Sequence, residues 1–203
     1  SPLHAGLTIS AVAIAALPMS TLGGANLHRW GFLPIIAGGF LCMGAGIGIA
    51  MWAGHHGIFW LFVAGMLTMG IGAGLTMSVS STAIIGAAPA HRSGMAAGVE
   101  EVSYEFGSLI AVSVLGSLLT AIYTASVVLP NGAPAAAGDG IAEALEAAQG
   151  DAAIIQAAST AFDSAYLVVM LVVAGVLAAA TVITGVLLRR YLPGTQSQLH
   201  SEH

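Results

Sequence analysis

The chain has 203 residues, 57% of them hydrophobic and 6% charged, with 27 glycines, four Lys or Arg, nine Asp or Glu and a formal net charge of −5; its mean hydropathy is +0.93. A soluble domain of this length needs far more charge to cover its surface, and a membrane barrel shows short apolar/polar alternation where this chain has long unbroken apolar runs. Composition therefore points to an all-α membrane protein, a transmembrane helical bundle, with no nucleic acid among its partners.

Apolar runs near or above the roughly 18–20 residues that cross a hydrocarbon core are expected as spans at about 5–24, 32–53, 58–86, 95–123 and 162–188. The first holds Pro18, which frees a carbonyl and bends a helix in a way that a packed bundle tolerates. Gly23 to Gly31 reads as the following loop, with Trp30 as an interfacial anchor. Pro34 stands near the start of the second span, where a missing N–H does no harm. That span carries Gly44-x-x-x-Gly48 with Gly46 between them. Small residues at this spacing let helix backbones approach closely, so a packing seam is expected there. The lone Cys42 excludes a disulfide framework within the chain.

Gly54-His55-His56-Gly57 is a tight hairpin. The paired histidines have no third ligand or His-x-x-x-His spacing nearby, so no metal is expected, and no cofactor either. The third span carries Met66, Met69, several glycines and a hydroxyl cluster of Ser78, Ser80, Ser81 and Thr82. Its methionines suit a pocket for varied apolar ligands and equally suit ordinary helix packing. A loop, Ala87 to Ser93, precedes the fourth span. After Pro130 comes an insertion at 131–160 with Asp139, Glu143, Glu146 and Asp151 but no base. It is expected to lie outside the membrane, with short helices at 141–148 and 152–158 broken at Gly150. Asp163, at the mouth of the fifth span, reads as a cap or a solvated acid. The chain does not begin with Met, shows no charged leader at Ser1 and has an odd number of spans in a class often built from paired repeats. It is expected to be a fragment of a longer protein.

The four basic residues are Arg29, Arg92, Arg189 and Arg190. They fall after spans one, three and five, on one side of the membrane, which the positive-inside rule assigns to the cytoplasm. The expected location is the inner (plasma) membrane, multi-pass, with the C-terminus cytoplasmic.

The fourth span carries Glu100, Glu101 and Glu105 in its first half. A charge at the centre of a spanning helix costs about 2.5–3.5 kcal/mol, so acids in spans are functional by default. Glu101 and Glu105 are one helical turn apart on one face, whereas Glu100 projects roughly 100° away from Glu101. Two carboxylates on one face repel when both are ionised, and such a site exchanges a proton for a cation. Tyr104 offers a ring face to a cation or serves as an interface-belt tyrosine. The bland account of all three acids is an interfacial cluster beside Arg92.

Three stretches resemble a known family: Ser1-Pro-Leu-His-Ala-Gly-Leu, then Gly23-Gly24-Ala25-Asn26-Leu27-His28-Arg29-Trp30-Gly31, and finally Ala88 to Gly107 with its core Val99-Glu100-Glu101-Val102-Ser103-Tyr104-Glu105. Together they resemble the C-terminal part of the fourteen-span drug:proton antiporters of the major facilitator superfamily, nearest to methyl viologen and quaternary-ammonium compound efflux pumps. The resemblance implies that these five spans are the last five, in the second half of such a transporter. It implies proton coupling at Glu100, Glu101 and Glu105, and substrate binding at Glu101, Glu105, Tyr104, Met66 and Met69. It also implies protons and lipophilic cations as partners, and matches 131–160 to the family's long external loop. The family's Gly-x-x-x-Asp-Arg-x-Gly-Arg pattern is broken here, with His28 where an acid often sits. The expected activity is proton-coupled multidrug efflux. The alternative is a non-transporting membrane subunit or channel piece. An intramembrane enzyme is disfavoured, because neither His-Glu-x-x-His nor Gly-x-Ser-x-Gly occurs.

Overall fold

A computed structural model describes residues 2–188, and every element in it is helical. Six α-helices follow one another: α1 (Pro2–Trp30), α2 (Phe32–His55), α3 (Phe59–Gly86), α4 (Ser93–Ser126), α5 (Ile141–Ala148) and α6 (Ala152–Leu188). All but α5 are long and apolar enough to cross a membrane. α4 has 34 residues and α6 has 37. At ~1.5 Å per residue each exceeds a hydrocarbon core of ~30 Å by more than half, so each extends beyond it or tilts. The chain forms two compact units, one of residues up to Glu101 plus the end of α6 from Ala174, the other Val102–Val173.

In the first unit α3 packs against both α1 and α2, and glycines set those contacts. A Cβ added at Gly46 would lie 2.5 Å from the Met69 amide nitrogen and 2.7 Å from the Gly65 carbonyl oxygen. One at Gly65 would meet Ala50 N at 2.7 Å, and one at Gly72 would meet Met43 N at 2.7 Å. The rows Gly39/Gly46 on α2 and Gly65/Gly72 on α3 therefore run antiparallel, each with a spacing of about two helical turns, and their backbones touch without intervening side chains. Gly70 and Gly74 use another face of α3, against Val12 and Ala16 of α1. Residue numbers rise together in that pair, so α1 and α3 are parallel. Arg29 and Arg92 consequently lie at the same end of the bundle; Arg189 and Arg190 lie outside the described residues.

This packing departs from the sequence reading in two places. The seam on α2 uses Gly46 but neither Gly44 nor Gly48, both of which have open space where a side chain would go. The expected loop from Gly23 is helix through Trp30, and the chain turns at the single residue Gly31 (φ 76°). Gly23 and Gly24 read as turn residues, yet they let α1 approach α3: added Cβ atoms would lie 3.3 Å from Leu75 Cδ2 and from Ser78 Oγ. Leu27, Ile35 and Val79 close the apolar core at this end. Helix α1 passes through Pro18 without interruption.

The second unit has a core of Tyr123, Ile154 and small residues, among them Ala137, Ala144, Ala158 and Ala165. Tyr123 is 1% exposed and donates its hydroxyl to the Ala137 carbonyl at 2.9 Å. That bond ties the end of α4 to the 3-10 turn Ala135–Gly138 and satisfies a polar group that would be costly to bury alone. Helix α5 occupies Ile141–Ala148, and Gln149 and Gly150 both take positive φ to reverse the chain. The expected short helix at 152–158 is instead the start of α6, continuous to Leu188. Its cap is Asp151, whose Oδ1 accepts from the Ala153 N–H at 2.9 Å. Asp163 is an exposed residue inside the helix, not its cap.

Candidate functional site

The acids stand on α4, which begins after Pro89 and the 3-10 turn Ala90–Arg92. The helix is apolar nearly all round and this chain covers little of it: Met95, Val99, Val102, Phe106, Leu109, Val112 and Val114 are all exposed. Glu101 and Glu105 are exposed as well, while Glu100 is half-buried. Helix periodicity places Glu101 and Glu105 on one face, one turn apart, and turns Glu100 away from them. No charged side chain is buried among the described residues, so the chain itself does not take these carboxylates out of contact with their surroundings.

Glu100 has a partner on α3. Ser81 donates its hydroxyl to Glu100 Oε2 at 3.1 Å, in a part-buried position. Other hydroxyls of α3 behave differently: Thr68, Thr76 and Thr82 bond back to the carbonyls four residues earlier in their own helix, as is common for such side chains in apolar helices. Ser81 reaches across to the neighbouring helix. The sequence offered a signal for it, a hydroxyl cluster near the end of α3 with an acid near the start of α4. The short connection between these consecutive helices lets the end of one meet the start of the next.

The other expected site residues fall as follows. Tyr104 is 42% exposed and, four residues after Glu100, shares its side of α4. Met66 and Met69 of α3 are half-buried, and the Met69 backbone lies against Gly46 in the α2 seam. At the far hairpin the His56 ring stacks on Trp52, with centroids 4.2 Å apart, and its Nδ1 hydrogen donates to the Trp52 carbonyl at 2.8 Å. Both histidines are exposed there. No group of three His, Cys, Asp or Glu side chains is placed to hold a metal among the described residues.

Comparison with known proteins decides the family. Residues 1–139 match the family model of the Major Facilitator Superfamily, well over half of the chain. The chain belongs to the Major Facilitator Superfamily. Membership places it in a family of multi-pass membrane transporters, not of enzymes. Among curated proteins, "Multidrug efflux pump LfrA" of Mycolicibacterium smegmatis (strain ATCC 700084 / mc(2)155) is 31% identical over 122 residues, 56% of this chain. The matched part covers 24% of that pump's length, so the chain spans about a quarter of this relative. No solved structure matches the chain. The all-helical structure, with five long apolar helices among the described residues, is consistent with that family.

Proposed function

We propose that the complete polypeptide containing these spans is a proton-coupled multidrug exporter of the fourteen-span type, which expels lipophilic or quaternary-ammonium cations in exchange for protons. The observation that carries this reading is the placing of Glu101 and Glu105 one turn apart on a spanning helix with an otherwise apolar middle, both uncovered by this chain. Glu100, Glu101 and Glu105 are the proton-coupling acids. Glu101 and Glu105, with Tyr104, Met66 and Met69, meet the substrate. A delocalised cation needs a counter-charge, an aromatic face and polarizable apolar surface, and these residue types supply all three. The similarity to a multidrug efflux pump supports the substrate class.

These spans act together with the transporter's N-terminal half in the plasma membrane. The parallel α1 and α3 put Arg29 and Arg92 at one end, which supports a cytoplasmic position for that end and for the C-terminus, and an external one for the acidic insertion. The driving force is the proton gradient plus the membrane potential, the latter ~2.3 kcal/mol per charge per 100 mV. In everted vesicles holding the complete polypeptide, an imposed pH step should drive uptake of tetraphenylphosphonium that saturates with substrate and reverses with the sign of the step. Flux that is unsaturable and indifferent to the pH step would instead indicate a channel piece, and no flux a non-transporting subunit.

A further inference from the structure

We infer that Ser81 is the positioning residue of Glu100: its hydroxyl holds that carboxylate against α3 and so separates it from the Glu101–Glu105 pair. The inference deepens the exchange reading above and takes from it only that these acids exchange protons. Its own observation is the Ser81 Oγ to Glu100 Oε2 hydrogen bond of 3.1 Å between two helices. An ionised carboxylate accepts such a bond strongly, more so where water is scarce. Here the contact is part-buried, between a half-buried serine and a half-buried glutamate.

Two further facts narrow the role. Helix α3 carries no Asp, Glu, Lys, Arg or His from Phe59 to Gly86, so a neutral hydroxyl is what that helix offers the acid. The charged and titratable groups nearest to Glu100 along the chain are His91 and Arg92 ahead of it, and Glu101, Tyr104 and Glu105 after it on α4. Among the hydroxyls of α3 that bond within their own helix, Thr82 is the very next residue, with its hydroxyl on the Ser78 carbonyl. The Ser81 hydroxyl alone of this pair is directed outward to the acid. The three glutamates are therefore two kinds of group: one held by a helix contact, and two on a face that this chain leaves uncovered.

The test uses dicyclohexylcarbodiimide, which modifies carboxyl groups in apolar surroundings, with labelling at each glutamate read by mass spectrometry on the complete polypeptide. Ser81→Ala should raise labelling of Glu100 roughly ten- to a hundredfold relative to Glu101 and Glu105 in the same molecules, the range expected for losing one hydrogen bond to a charged group. Ser81→Thr, which keeps the hydroxyl, should restore the wild-type ratio. An unchanged ratio in Ser81→Ala overturns the assignment even if transport falls, and an equal rise in both variants overturns it by showing that loss of the hydroxyl is not the cause. The labelling ratio needs no transport, so failure of the exchange reading is seen separately in the flux experiment.

Discussion

Glu101→Gln and Glu105→Gln, made singly in the complete polypeptide, are expected to abolish proton-driven export of lipophilic cations while leaving membrane insertion and yield unchanged. The amide keeps the size of the side chain and most of its hydrogen-bonding capacity, but it neither titrates nor offers a counter-charge. A fall of at least about a hundredfold is expected when the group that carries the proton is removed. Both positions are exposed in this chain, and neither side chain fills a core here, so little stability is at stake. Transport in everted vesicles, with a size-exclusion profile of the same preparations, separates lost exchange from lost protein. Normal export in both variants would remove these acids from the mechanism.

Gly46→Val is expected to damage the α1–α3 bundle severely, and Gly44→Val two residues away to be nearly silent for it. At Gly46 even the first added carbon meets backbone, Met69 N at 2.5 Å and Gly65 O at 2.7 Å. A backbone cannot step aside as a flexible side chain can, so α2 and α3 must separate along their seam. Overpacking in a tight core costs ~1–3 kcal/mol, and the upper part of that range is expected where two helix backbones meet. At Gly44 nothing lies within 4 Å. Thermal unfolding in detergent, together with cysteine cross-linking between α2 and α3, reads both effects.

These glycines also show where sequence reading stops. The five spans were legible because long apolar runs have one dominant solution in a membrane. Turns were less so, since Gly23-Gly24 looks the same in a sequence whether it reverses the chain or admits a neighbouring helix; only Leu75 and Ser78 opposite them decide it. The Gly44/Gly48 pattern failed for a related reason. A four-residue repeat on one helix says nothing about its partner, and the seam that forms is a longer repeat shared by α2 and α3. At α6 a Pro-free, Ala-rich stretch reads equally well as a short surface helix or as the start of a span. The packing of Ile154, Ala158 and Ala161 around Tyr123 makes it one helix. Within the candidate site the carboxylates stood out by rarity, but the Ser81 partner of Glu100 is a property of two helices and no single stretch displays it.

The central claim is that one set of acids on α4 takes up either protons or an organic cation. Adding tetraphenylphosphonium to the detergent-solubilised complete polypeptide in weakly buffered solution should release protons. That release should be absent in the Glu101→Gln/Glu105→Gln double variant. Cation binding without proton release, or release of equal size in the double variant, would contradict it.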